Sequence, residues 1–181
     1  MGVKDESEKT VREKIERALK KLLKFDSQLL SFDVNERSIT HRLAIYLEDE
    51  FPEYHVDCEY NRDVKDPKRI NKIKEKANMT ENPNDPIADT NAVSVYPDII
   101  VHRRGKNDNF LVIEVKKTKN RNQSEEEEKD KAKLRAYIEI FKYVYAFFIK
   151  VPVGNDINKS EYKDVFDWIE RLKKKRGESQ R

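Results

Sequence analysis

The sequence predicts an α/β fold in which a four-stranded mixed sheet is flanked by helices. Three observations predict this class. Two amphipathic helical patterns precede the first strand, two apolar β-branched runs face each other across a polar tip, and a helix separates the second run from another apolar strand. A helical crossover of that length makes the last two strands parallel, because such connections return to the same sheet with right-handed geometry.

Composition bounds the class of protein. Of the 181 residues 40% are charged and 36% are apolar, and the formal net charge of +3 does not by itself indicate a nucleic-acid binder. The single Cys58 excludes an intramolecular disulfide framework or a cysteine-based zinc site and suits a reducing compartment. No apolar run is long enough for a membrane span, and the first residues do not resemble a signal peptide. We expect a cytoplasmic protein with one domain over 1–181 and a core over about 35–152.

Two helices are expected first. Residues 5–24 carry apolar side chains at helical spacing on a charged surface. After a short connection over 25–33, a second helix is expected from about Asn35 to Glu50, and Pro52 ends it. The predicted buried positions are Val11, Ile15, Ala18, Leu19, Leu22 and Leu23 in the first helix, and Ile39, Leu43, Tyr46 and Leu47 in the second.

A strand and a long insertion follow. His55 to Arg62 alternates apolar and polar residues, which predicts a half-buried strand with Val56, Cys58 and Tyr60 inside. Residues 63–92 carry three prolines and scattered charge, and within them 68–77 can form one short helix. Insertions of this length in compact domains are usually functional or disordered, and the sequence does not decide between the two.

The central hairpin is expected at about 93–103 and 109–117. A loop centred on Lys106 places Asp98 opposite Glu114, and the period-two alternation of strands puts Glu114 and Lys116 on one face. Two carboxylates and an ammonium inside apolar strands require a reason, because buried charges are costly unless they are paired or bound to a metal ion.

Three elements are expected after the hairpin. Ser124 and Glu127 form a capping box for a helix that continues to about Tyr143. Residues 144–151 are apolar on both faces, as in an inner strand. After a turn, Ser160 can cap a last helix, and 171–181 is a basic tail. The apolar positions of the two helices are Leu134, Tyr137, Ile138 and Phe141, then Tyr162, Val165, Phe166, Ile169 and Leu172.

The charged residues of the hairpin suit metal-assisted hydrolysis. Mg²⁺ prefers oxygen ligands and usually binds through one or two carboxylates with waters retained. Asp98 and Glu114 supply carboxylates, and the main-chain carbonyl of Val115 lies between Glu114 and Lys116 in sequence. A lysine beside a metal can orient or deprotonate water and neutralise charge on a phosphate, which is what phosphodiester hydrolysis requires.

Pro97-Asp98, fifteen intervening residues, and then Glu114-Val115-Lys116 resemble the signature of the PD-(D/E)xK nuclease superfamily, the restriction-endonuclease-like fold. The core of that family is described as helix, three strands, helix, strand, which matches the order predicted from Asn35 to Val151. The resemblance implies a metal-dependent endonuclease acting on DNA. Asp98 and Glu114 would bind Mg²⁺, for which Mn²⁺ can substitute, and Lys116 would be the catalytic lysine.

The spacing of the triplet alone is weak, because four other segments fit it. Only Glu114-Val115-Lys116 lies inside an apolar strand that follows a Pro-Asp on its partner strand. The other matches are Asp63-Val64-Lys65, Asp66-Pro67-Lys68, Glu127-Glu128-Lys129 and Glu161-Tyr162-Lys163. An alternative for the chosen triplet is that Lys116 only neutralises Asp98 and Glu114 in a buried salt bridge.

Glu36 has two interpretations. Many family members carry an acid on the first core helix that completes the metal site, and Glu36 shares the stripe of Ile39 and Leu43. Alternatively, Asp33 and Glu36 form a capping box, which needs no function.

Lys133 and Tyr137 are four residues apart and share a helix face, where related nucleases can place a polar residue and a tyrosine against substrate. Here lysine replaces the glutamine of the best-known version, and a tyrosine in a helix stripe is also explained as core. Glu59, Asn61 and Arg62, at the end of the first strand, are weaker candidates to line the same cleft. His41 and His102 are expected to be surface or helix-side polar residues.

The sequence is also compatible with other functions. A catalytically inactive nucleic-acid-binding or accessory module would bind through the basic stretches 65–76 or 171–176. A component of a larger defence or repair complex is a third possibility. Many such nucleases act as homodimers, but no surface for pairing can be identified from the sequence.

Overall fold

The computed structural model describes residues 6–60, 62–63, 66–67, 69–70, 93–94, 96–118, 124–157 and 169–172. The helices are α1 (Glu8–Phe25), α2 (Ser27–Ser31), α3 (Glu36–Glu50) and α4 (Ser124–Ile140), and a 3₁₀ helix covers Gly154–Asp156. The strands are β1 (His55–Cys58), β2 (Arg62–Asp63), β3 (Asp66–Pro67), β4 (Arg69–Ile70), β5 (Val93–Ser94), β6 (Ile99–His102), β7 (Asn109–Thr118), β8 (Tyr145–Pro152) and β9 (Ile169–Leu172).

The main sheet has five strands in the order β1-β6-β7-β8-β9. Strands β7 and β8 are parallel, with α4 as the crossover, and the other neighbours are antiparallel. The α/β class and the mixed sheet are therefore confirmed. The short ladders β2-β3 and β4-β5 stand apart from this sheet.

The expected count of four strands is wrong, because β9 forms where the last helix was predicted. Strand β9 pairs antiparallel with β8 over Ile149↔Ile169 to Ala146↔Leu172. The physical reason lies in β8: it is buried on both faces, and without β9 its backbone would form an open apolar edge. Arg171 and Leu172 thus belong to a strand and not to a tail, whereas 158–168 and 173–181 lie outside the described residues.

Helices cover both faces of the sheet. Side chains at odd positions of β6 and β7 pack towards α1 and α3, and side chains at even positions pack towards α4. The first group includes Ile99, Val101, Leu111, Ile113 and Val115, and the second includes Ile100, Val112, Leu134 and Tyr137. Because the alternation continues along β7, Glu114 and Lys116 lie on the α4 face.

The first two predicted helices are confirmed, and every side chain predicted to be buried in them is buried. The connection between them differs, because it holds the short helix α2. Ser7 caps α1 by accepting a hydrogen bond from the N–H of Thr10, and Asn35 caps α3 by accepting one from Ser38. None of the described helices is long and apolar enough to cross a membrane.

Strand β1 ends four residues earlier than expected. Glu59 has a φ of 49°, in the left-handed region, and this turns the chain out of the sheet. Tyr60 therefore packs on the α4 side, where its ring lies 4.8 Å from that of His102. Arg69–Ile70 pairs with Val93–Ser94, so the strand expected from 93 begins only at Ile99, and the helix predicted over 68–77 does not include Arg69 and Ile70. The rest of that predicted helix, at 68 and 71–77, lies outside the described residues.

His102 is buried, which corrects the expectation of a surface histidine. Its Nε2 lies 2.8 Å from Oδ2 of Asp57, and the same carboxylate forms an ion pair with Arg104. Burial opposes ionisation of Asp57, but Arg104 and His102 outweigh it and lower the pKa of that carboxyl. One carboxylate thus holds a buried imidazole and a loop guanidinium.

We predict that Asp57→Ala lowers the free energy of unfolding by about 2–3 kcal/mol, because two hydrogen-bonded groups lose a shared charged partner. Urea denaturation measures the loss. Asp49→Ala is the matched control: its carboxylate is paired with Lys21 at 3.0 Å but is 65% exposed, so the expected loss is below about 1 kcal/mol. Equal losses in the two variants would contradict the prediction.

Candidate active site at the end of the central hairpin

Strand β7 extends beyond its antiparallel partner. The ladder between β6 and β7 reaches Ile99↔Ile113, whereas β7 continues to Thr118 with pairing only to β8. The register of Ile99↔Ile113 continued by one residue places Asp98 opposite Glu114, as predicted, and a register shift between Val101 and His102 lies between this pair and the loop. Past Ile113, the edge of β7 that faced β6 has no strand partner among the described strands.

Two carboxylates cap this open edge. Asp98 Oδ2 accepts a hydrogen bond from the N–H of Val115 at 2.7 Å, and Glu36 Oε2 accepts one from the N–H of Lys117 at 3.1 Å. Alternate residues of a strand direct their N–H and C=O groups to the same edge, so the carbonyl of Val115 also faces this side. The edge therefore brings together Asp98, Glu36 and the main chain of Val115.

Glu36 reaches this edge because it does not cap its own helix. The cap of α3 is Asn35, so the capping box proposed for Asp33 and Glu36 is wrong. Asp33 instead contacts Lys117, whose Nζ lies 2.7 Å from Oδ1 of Asp33 and 2.8 Å from the carbonyl of Val34. Lys117 thus ties the segment before α3 to the end of β7.

Glu114 is a buried acid on the α4 face, with 4% of its surface exposed. Burial, and then the neighbouring charge of Asp98, raise its pKa well above the ordinary range, and Lys133 opposes this shift. Its Oε1 atom is buried and has no hydrogen-bond partner among the described residues. An acid in this state is one that a cation would stabilise.

Asp98 is perturbed in the same direction. Burial raises its pKa to about 6, the hydrogen bond from Val115 opposes the rise, and the negative charges of Glu36 and Asp130 add to it. The charge of Asp98 in turn disfavours ionisation of Glu114, so the two acids lie close together. Pairs of carboxyls with raised pKa values are common at sites that bind metal ions or carry out acid–base chemistry.

Lys116 forms its ion pairs with α4 and not with Asp98 or Glu114. Its Nζ lies 3.2 Å from Oδ2 of Asp130 and 3.8 Å from Oε2 of Glu126. The alternative in which Lys116 only neutralises the two hairpin acids is thus not what the structure has. Burial opposes the charged form of Lys116, but Asp130 and Glu36 outweigh it and raise its pKa.

Lys133 is the cation that acts on the acid pair. Its Nζ lies 2.7 Å from Oδ1 of Asp130, and its charge lowers the pKa values of both Asp98 and Glu114. Tyr137 is fully buried and packs with Phe141, so it is a core residue. Its hydroxyl lacks a hydrogen-bond partner in the described part, and burial and then the charge of Glu114 raise its pKa.

The remaining sequence candidates contribute less. Glu59 pairs with Arg37 at 2.8 Å, at the N-terminal end of α3. Asn61 and the side chain of Arg62 lie outside the described residues, and His41 is exposed on α3.

Two residues of the site were missed in the sequence. Asp130 lies one and two helical turns before Leu134 and Tyr137, so an acid in that apolar stripe was the available signal. Lys117 gave no such signal, because a lysine at the end of a strand is common on surfaces.

The donors at the edge fit a hard divalent cation. In the described part of the chain no group of three or more His, Cys, Asp or Glu side chains is arranged to hold a metal ion. Mg²⁺ does not require one, because it usually binds through one or two carboxylates and keeps its waters. The Oε1 atom of Glu114, which is buried beside Asp98 without a hydrogen-bond partner in the described part, suits a carboxylate ligand of this kind.

The fold and site define a mixed α/β protein with an acid pair and two lysines where the central hairpin ends. No protein-family model, curated protein or solved structure matches the chain. Function must therefore be argued from the chemistry of the site and not from its fold.

Proposed function

We propose that this protein is a metal-dependent endonuclease of the PD-(D/E)xK type that hydrolyses phosphodiester bonds in DNA. The observation that carries the proposal is the convergence of Asp98 and Glu114, with Lys116 on the same face of β7. The order α3, β1, β6, β7, α4, β8 is the order that the resemblance implies, which supports the same reading.

Each residue has a role in this proposal. Asp98, Glu114 and the carbonyl of Val115 would hold Mg²⁺ or Mn²⁺, and Glu36 borders them through the N–H of Lys117. A bound divalent cation lowers the pKa of its water and stabilises negative charge on the phosphate. Lys116 donates hydrogen bonds to the phosphate group or to the attacking water, and burial of the site strengthens these contacts.

The second lysine fits the same substrate. Lys133 adds a positive charge next to the acid pair, which lowers the repulsion between Asp98, Glu114 and an approaching phosphate. With Lys116 it supplies two ammonium groups, which act as point-charge donors to phosphate oxygens. An anionic substrate therefore finds cations beside the acids that would repel it.

The test is cleavage of supercoiled plasmid by the purified protein with Mg²⁺, with Mn²⁺ and with EDTA. We expect nicking or cutting in the two metals and none in EDTA. Asp98→Ala protein purified in parallel controls for contaminating nuclease, and equal activity in that preparation would overturn the proposal. Salt-sensitive DNA binding without hydrolysis in any divalent metal would favour the inactive binding module.

Glu36→Gln is predicted to lower the cleavage rate by about 10-fold to 100-fold, as is usual for groups that support a metal site. The amide can still accept the hydrogen bond from Lys117, so stability should change little, but the negative charge at the edge is lost. Cleavage rates at several Mg²⁺ concentrations measure the effect. Glu48→Gln, at the exposed far end of α3, is the control and should match the parent protein; an equal fall in both variants would argue against a role for Glu36.

A further inference from the structure

Asp130 is placed to act on both lysines of the site. It is buried on the sheet-facing side of α4, with 8% of its surface exposed. Its Oδ2 forms an ion pair with Nζ of Lys116 on β7 at 3.2 Å, and its Oδ1 forms one with Nζ of Lys133 on α4 at 2.7 Å. A single carboxylate thus fixes the separation of two ammonium groups that come from different elements.

The second acid near Lys116 cannot do the same. Glu126 lies 3.8 Å from Nζ of Lys116, and its side chain is 66% exposed. A long contact to a solvated carboxylate is weak and leaves the lysine free to move. Asp130 is therefore the group that holds Lys116 in one position.

We propose that Asp130 is a positioning residue, which holds the ammonium group of Lys116 where it serves the scissile phosphate. This inference rests on the proposed endonuclease function. Lysine has four rotatable bonds and loses considerable freedom when it is fixed, so an unheld Lys116 would reach the productive geometry only part of the time. The effect of Asp130 is therefore on the rate of the chemical step and not on substrate binding.

The arrangement has a second consequence for the acid pair. Lys133 is attracted to Glu114 and Asp98, and an ion pair between them would occupy the carboxylates that the metal needs. Asp130 keeps the Nζ of Lys133 at its own oxygen instead. The same side chain thus holds one lysine in place and keeps the other from occupying the metal ligands.

The kinetic test is Asp130→Asn, which keeps the shape of the side chain and removes its charge. We expect kcat to fall about 10-fold to 100-fold and KM to stay within about twofold. Asp130→Glu should recover most of kcat, because it restores the carboxylate. Asp130→Asn should still lower kcat in a Lys133→Gln background, because Lys116 loses its partner there as well. Glu126→Gln is the matched control, with kcat close to that of the parent protein.

A second readout does not depend on activity. The shift in the urea midpoint caused by Asp130→Asn should be smaller in a Lys116→Met background than in the parent protein, because the two residues interact. Equal shifts would overturn the proposal, as would an unchanged kcat or a kcat that falls only in proportion to the folded fraction. A parent protein without cleavage in any metal overturns the proposed function and with it the kinetic role, and the urea experiment then still decides whether Asp130 holds Lys116.

Discussion

Glu114→Gln is expected to reduce DNA cleavage by at least about a thousandfold and to raise the stability of the metal-free protein. The loss follows because an amide cannot replace a carboxylate as a ligand for a hard cation. A thousandfold in rate corresponds to about 4 kcal/mol of activation free energy, a size typical of groups that act directly on the reacting atoms. Asp98→Ala and Lys116→Ala should lose activity on the same scale.

The gain in stability has a separate cause. At neutral pH both states of the buried Glu114 carboxyl cost free energy. The ionised form is buried beside Asp98, and the protonated form keeps a proton that an exposed glutamate would release at this pH. Glutamine removes the charge, and its amide N–H can donate to Asp98. We expect about 1–2 kcal/mol, which in a chain of this size raises the melting temperature by a few degrees.

The two effects are measured on one preparation of each variant, by plasmid cleavage in Mg²⁺ and by thermal denaturation in EDTA. Glu125→Gln is the control, since Glu125 is an exposed acid in the first turn of α4. If the Glu114→Gln protein cleaves DNA within tenfold of the parent rate, Glu114 is not a metal ligand required for cleavage. A variant that loses both activity and stability would show instead that Glu114 is needed for folding.

The metal-free protein is expected to lose stability through Asp98 as the pH rises from about 4 to about 6. The pKa of Asp98 is about 6 in the folded protein and near the ordinary value of 3.8 when the chain is unfolded. In this interval the folded state binds more protons than the unfolded state, so the free energy of unfolding falls as the pH rises. The shift corresponds to an order of 2–3 kcal/mol, and Glu114 adds to it in the same direction.

The comparison of the parent protein with Asp98→Asn isolates this contribution. Urea denaturation in EDTA across pH 4 to 7.5 should show a difference in stability that grows in favour of the variant with increasing pH. Acids with lowered pKa values, such as Asp57, contribute to both proteins and cancel. Mg²⁺ at pH 7.5 should raise the melting temperature of the parent protein and leave that of Asp98→Asn nearly unchanged. Parallel pH curves for the two proteins would contradict the raised pKa.

The position of Asp98 opposite Glu114 was predicted from a loop centred on Lys106, but the loop length alone does not fix it, because the register shifts by one residue between Val101 and His102. The face shared by Glu114 and Lys116 followed from strand periodicity. The partner of Lys116 could not be predicted in this way. It is supplied by Asp130, and the packing of α4 on the sheet decides which of many acids in that helix lies within reach.

The wrong prediction of the last helix and the open question of Glu36 have related causes. Ile169 and Leu172 are spaced three apart, which suits a helix, but the run is too short to distinguish this from a strand, and pairing with β8 decides the outcome. Glu36 was equally ambiguous, since an acid at the start of a helix suits capping as well as a metal site. Asn35 takes the capping role, and only the position of β7 shows what Glu36 contacts.

The two ends of the described chain are in contact, and this bears on how the protein folds during synthesis. Tyr145 donates a hydrogen bond to the carbonyl of Glu6, and Arg171 forms an ion pair with Glu8. Strand β9 is synthesised after the other described strands, yet it covers the edge of β8. Contacts between segments so far apart in sequence are slow to form, because the loop-closure entropy is lost before they are made. A nascent chain that has not yet released Leu172 from the ribosome therefore exposes an apolar strand edge, and this is the stage at which strand pairing between copies would compete with folding.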